Sequence, residues 1–119
     1  MSIQEVISVS ECMKMCDNDE EFMNELVAIM RDDLLECLDL LANAFADKDR
    51  EQMRELAHRV KGQAANLAAK PLFEIAKKVE NAAKTGNVTK NEYLFFIQKI
   101  KEFNRCTLPT SPKTCTPKN

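Results

Sequence analysis

From Ser2 to Thr107 the apolar residues recur every three or four positions, and the interruptions fall at residues that start or stop helices. Val9, Cys12, Met13 and Cys16 define a short first helix. Asn18 is placed to cap the next one, because Glu21, three residues on, can reach back to the cap's backbone donor. Phe22, Leu26, Ile29, Met30, Asp33, Cys37, Leu38, Leu41 and Phe45 follow one stripe along a long second helix, with Asp33 its single polar member. After the break at 47–49, Asp49 and Gln52 repeat the capping pattern, and Met53, Leu56, Ala57, Val60, Ala64 and Leu67 stripe a third helix. Pro71 suits the first turn of a fourth helix, striped by Leu72, Ile75, Ala76, Val79 and Ala83, with Gly86 as its left-handed cap. Thr89 and Glu92 form a capping box for a last helix that buries Tyr93, Phe96, Ile97, Ile100 and Phe103.

This pattern predicts an all-α fold, an antiparallel up-down four-helix bundle over residues 1–104 with a short N-terminal helix. Residues 105–119 hold Pro109, Pro112 and Pro117, many threonines and no acidic residue, and read as a flexible Pro/Thr-rich tail.

Composition narrows the function classes. At 119 residues one domain is expected, and that length buries about two thirds of its unfolded surface in a single core. The two glycines, Gly62 and Gly86, are too few for a phosphate-cradling loop, a dinucleotide fingerprint or a many-turned β-sandwich. With 17 basic and 19 acidic side chains there is no basic excess to attract nucleic acid, and the absence of tryptophan disfavours base stacking. Five cysteines (Cys12, Cys16, Cys37, Cys106 and Cys115) are an odd number without the close pairing of a disulfide framework, so a reducing compartment is expected. The stretch from Met1 to Cys16 has no basic cluster or long apolar segment, and apolar runs such as Tyr93–Ile97 fall far short of a membrane span. The expectation is a cytoplasmic protein with neither nucleic acid nor membrane as partner.

His58 is the only histidine, which excludes histidine pairs for metal. With Met53 at zero and about 100° per residue, His58 falls near 140°, outside the apolar stripe, with Arg54, Lys61 and Ala65 at roughly 80 to 120°. The imidazole should face outward. Gly62 follows one turn on, in a helix interior where glycine costs about 1 kcal/mol relative to alanine. One explanation is clearance: with Gly62 and Ala65 one and two turns away, nothing bulky covers the ring and another protein can reach it. Lys61, on the same face, can set its ammonium beside an anion on the imidazole, and a phosphoryl group is the anion this nucleophile would carry. Glu55 points away at about 200°, so no carboxylate is expected beside the ring to activate water. The plainer explanation is an ordinary exposed histidine, a solvated lysine and a glycine packed between close helices. Cys12 and Cys16, one turn apart, lack further ligands and read as buried residues rather than a metal pair.

The run Ala57-His58-Arg59-Val60-Lys61-Gly62-Gln63-Ala64-Ala65-Asn66-Leu67 resembles the active helix of histidine-containing phosphotransfer (HPt) domains, whose core is His-x-x-Lys-Gly followed by small residues and a leucine. Asn18 to Phe22, the long second helix, Lys48-Asp49, and Leu72 through Glu80 to Gly86 also fall where that family has its corresponding segments, so the likeness covers roughly residues 6 to 104. The resemblance implies that His58 accepts the phosphoryl group, that Lys61 helps neutralise it and that Gly62 is the clearance residue; Ala65, Arg54 and Gln63 are grouped with Gly62 on the docking side, Arg54 either as a second phosphate contact or only as a helix charge. It implies a phosphorelay carrier, not an autonomous enzyme, acting between receiver domains of hybrid sensor kinases and response regulators as a monomer. No cofactor of its own is expected, the Mg²⁺ belonging to the receiver. On the fourth helix Phe73, Lys77, Glu80 and Lys84 flank the stripe, and family geometry puts part of this flank near the histidine; all four would equally suit plain surface. Ala68 stands where relatives usually have glycine after the leucine, and Gln63 where serine is frequent. A receiver-docking adaptor that is never phosphorylated, and the phosphoacceptor module of a larger histidine kinase, would present the same surface; Met1 and the tail are read as favouring a free-standing chain.

Overall fold

The computed structural model describes residues 7–107, which form five helices: α1 (Val9–Met15), α2 (Glu20–Ala46), α3 (Arg50–Asn66), α4 (Lys70–Thr85) and α5 (Lys90–Cys106). The four long helices make the bundle and α1 leads it. Ion pairs and stacking give the directions. Glu36 and Asp33 of α2 meet Arg59 and Gln63 of α3 in opposite order, and Phe45 of α2 stacks on Tyr93 of α5 at 4.2 Å while Arg31 donates to the carbonyl of Thr107 at 2.9 Å. Both neighbours therefore run antiparallel to α2.

Helix starts follow the capping chemistry, with one shift. Asp49 accepts from the Gln52 amide at 3.1 Å, and Thr89 with Glu92 forms the reciprocal box. At α2 the cap is Asp19, which accepts from the Phe22 amide at 3.1 Å, rather than Asn18. Asn18 is unavailable because its backbone is left-handed, φ 59°, closing the turn after α1, whereas Asp19 has the extended geometry a cap requires.

Helix ends depart further from expectation. Gly86 has φ 178°, which is extended backbone, so it is not the left-handed cap expected of it. Among the described residues the left-handed ones are Asp17, Asn18, Lys48 and Ala68. After α1, α2 and α3 the backbone closes in the same way: Asn18 N–H donates to the Met13 carbonyl, Asp49 to Ala44 and Ala69 to Ala64, at 2.7, 2.9 and 2.8 Å. These are Schellman closures built without glycine. The last helix runs to Cys106, and Thr107 is buried, so ordered structure passes the boundary expected at 104; residues 108–119 of the expected tail lie outside the described residues.

The stripes of α3 and α4 are buried in full: Met53, Leu56, Ala57, Val60 and Ala64 on one, Leu72, Ile75, Ala76, Val79 and Ala83 on the other. Phe96, Ile100 and Phe103 of α5 complete the centre, with Tyr93 and Ile97 half-buried beside them. On α2 the buried face is Met23, Val27, Met30, Leu34, Cys37, Leu41 and Ala44; of the stripe expected, Met30, Cys37 and Leu41 are buried and Leu26, Leu38 and Phe45 are half-buried against the core. Phe22 and Ile29 are 45% and 64% exposed. The helix carries apolar residues around much of its circumference, so spacing alone does not choose a face; Asp33 belongs at the edge, where Arg59 and Gln63 reach it. Cys12, Cys16 and Cys37 are buried thiols, and desolvation, the largest cause, pushes Cys12 and Cys37 up to about 11. Among the described residues no helix is long and apolar enough to cross a membrane.

Candidate functional site

The burial of Met53, Leu56, Ala57, Val60 and Ala64 fixes the rotation of α3 and turns His58 outward, its side chain 66% exposed. α4 packs closely along this helix. Ala76 and Ala83 lie one turn to either side of Glu80, all three buried, and such small neighbours let the α4 backbone approach α3. Glu80 is thereby carried beneath the histidine. Its Oε2 lies 2.9 Å from His58 Nδ1, and the Lys61 ammonium meets Oε1 at 2.7 Å as an ion pair lying outside hydrogen-bonding angles. Lys84 Nζ, one turn along α4, stands 3.8 Å from Oε2.

The electrostatics are consistent with that geometry. The Lys61 ammonium beside Glu80 holds its carboxyl below the usual carboxylate range, against the opposing effect of burial and with help from the His58 hydrogen bond. An ionised carboxylate can only accept, so Nδ1 carries the proton and donates to Glu80. In the neutral ring the lone pair then resides on Nε2, on the far edge of the imidazole from Glu80. The carboxylate thus selects the tautomer and steadies a ring that is otherwise exposed.

The opposite flank of α3 is held separately. Arg59 donates to Asp33 through Nε at 3.0 Å and again through Nη2, also reaches Glu36 at 3.2 Å, and the Gln63 amide donates to Asp33. This clamp accounts for the polar residue in the α2 pattern. It also removes Gln63 from the His58 face: half-buried against α2, it is not beside the ring with which it was grouped.

The other expected site residues share the histidine's side of α3. Gly62 and Ala65 are exposed, and among the described residues a Cβ on Gly62 would meet nothing within 4 Å, so the glycine is not there for helix packing. Lys61 is engaged with Glu80 rather than loosely solvated. Arg54 pairs with Glu51. The expectation that no carboxylate adjoins the ring holds for Glu55, which is exposed, but fails for α4, because Glu80 touches the imidazole. It does so at Nδ1, away from Nε2. Sequence reasoning had Glu80 only as a flank residue; the signal available was an acid between Ala76 and Ala83 on a face that is otherwise apolar. Lys77 stays exposed and Phe73 is half-buried.

A family model, the Hpt domain, matches residues 25–104, an interval that contains His58, Lys61 and Glu80. The chain belongs to the Hpt domain family. Hpt domains serve histidine phosphotransfer in phosphorelays, as phosphocarrier modules that interact with receiver domains. The fold agrees. The chain is similar to the crystal structure of the HPT domain from an Hpt sensor hybrid histidine kinase of Shewanella, with a TM-score of 0.78 and 15% identity, over 87% of this chain and 91% of that one. No curated protein matches the chain.

Proposed function

We propose that this Hpt domain carries a phosphoryl group on Nε2 of His58 and passes it between aspartates of receiver domains. The observation that supports this most directly is the exposed imidazole whose Nδ1–H is held by buried Glu80. The Nε2 lone pair attacks the phosphorus of a phosphoaspartate, the P–N bond forms as the P–O bond breaks, and the electron pair leaves with the receiver's carboxylate. Because Nδ1 keeps its proton, the ring gains positive charge, which the Glu80 carboxylate stabilises from behind. Lys61 is close enough to share its charge between Glu80 and the incoming phosphate. Transfer to a second aspartate is the reverse of these events. The receiver supplies Mg²⁺ and the catalytic carboxylates, and this chain supplies an oriented nucleophile.

The open space over Gly62, with Ala65 exposed one turn on, lets a partner's surface reach the ring. The experiment is incubation with phosphorylated receiver domains and Mg²⁺. Acid-labile, base-stable label is expected on the wild type and absent from His58→Gln; receiver binding without label would show a docking adaptor instead. Lys61→Ala should slow transfer about tenfold with an unchanged circular-dichroism spectrum, as loss of one charged contact would do. Wild-type rates in that variant would remove the role given to Lys61.

A further inference from the structure

The charges of this chain are segregated. α2 carries seven acidic side chains and one basic, whereas α3 and α4 together carry eight basic and four acidic. Three of those basic side chains stand at one end of the α3–α4 pair, where an open cleft of about 460 Å³ is lined by Arg50, Glu51, Arg54, Ala83 and Lys84. Its floor is the buried Ala83, which leaves room between the long side chains on either wall. Glu51 is neutralised by Arg54. Among the described residues no carboxylate pairs with Arg50, and Lys84 is half exposed, approaching only the rim of the Glu80 cluster at 3.8 Å. The cleft therefore presents surplus positive charge in a concave site, and it adjoins the phosphoacceptor through Lys84 on one wall and Arg54, one turn before His58, on the other.

We infer that this cleft is a docking subsite for a carboxylate-bearing loop of the receiver, a contact that selects partners and is separate from the phosphate itself; this rests on the carrier function proposed above. Arg50 precedes His58 by eight residues, about 12 Å along the helix, too far to touch a phosphoryl group on Nε2. What it can touch is the rim of a protein seated over the histidine. A complementary partner must bring negative charge there, and charges at such a rim act on encounter and its salt dependence more than on chemistry.

The test uses the full chain with purified receiver domains loaded with phosphate by a small-molecule donor and Mg²⁺. Arg50→Glu is the informative variant, because an acidic residue in the first turn of α3 suits the helix dipole and the fold should hold. We expect its KM for the phosphorylated receiver to rise about tenfold at low salt, with kcat unchanged and a flatter dependence on ionic strength. Reversal of an acidic residue on the receiver loop facing the cleft should restore the KM. Lys101→Glu, exposed on α5, makes the same change in net charge elsewhere. A wild-type KM and salt slope for Arg50→Glu would overturn the subsite, as would an equal loss in Lys101→Glu, which would reveal only a general field. No label on wild-type protein from any receiver would overturn the carrier function itself, and the subsite with it.

Discussion

Gly62 costs its helix about 1 kcal/mol relative to alanine, and among the described residues nothing occupies the space a Cβ would take. Gly62→Ala should therefore raise stability by about that amount in urea unfolding, since nothing must move to admit the methyl group. A long side chain at the same position should leave the bundle folded and weaken transfer from a receiver, because only a partner would meet it; unchanged transfer would show that the space is not used for docking. His58, Lys61 and Gly62 were legible in the sequence because their relation lies within one helix, where three or four residues equal one turn. Glu80 was not legible as a site residue. Its carboxylate reaches the ring from 22 residues away, across a helix seam whose closeness depends on which small residues meet there.

Among the helices, the unexpected feature is how they end. Ala68 adopts φ 54° at the close of α3, in a Schellman turn whose left-handed residue is ordinarily glycine, and its carbonyl also accepts from the Ser8 amide at 2.9 Å. The Cβ in that conformation costs roughly 1 kcal/mol, so Ala68→Gly should stabilise the protein by about that much, with the Ser8 bond retained. A fall in the unfolding midpoint would mean that packing of the buried methyl group outweighs the backbone strain. Lys48 takes the same left-handed conformation after α2, where the Asp49 amide closes on the Ala44 carbonyl. On α2 the face that enters the core was set by its neighbours: Phe22 and Ile29 lie outside, though they fit a helical stripe as well as Met23 and Met30 do. Ile29→Lys should accordingly shift stability by no more than about 0.5 kcal/mol, the range of ordinary surface changes, where a buried isoleucine would cost several times that.

For the molecule as a whole, the Glu80 cluster makes stability depend on pH. The folded chain holds this carboxyl below its ordinary value, chiefly through Lys61, so its contribution is full above the unfolded value of about 4.3 and is lost as pH falls through the lower folded value. Glu80→Gln should be less stable than wild type at pH 7, by roughly 1–2 kcal/mol. The two proteins should converge only in stronger acid, once pH has fallen past that lowered folded value and the wild-type carboxyl has taken up its proton. A difference that persisted unchanged into acid would assign the effect to shape rather than charge. The same variant should slow phosphotransfer, since α3 and α4 are joined at the very group that steadies the proposed phosphoacceptor, His58.

Local chemistry settled the five helices of the described residues, most of their starts, the buried faces of α3 and α4 and the outward direction of His58, because capping and helical periodicity act over three or four residues. Tertiary packing decided the rest: which face of α2 is buried, the left-handed turns taken without glycine, the carboxylate beneath the imidazole and the cationic cleft beside it. Each of these needs two segments distant in the chain to meet, and periodicity within one helix holds no record of how closely its neighbour will approach.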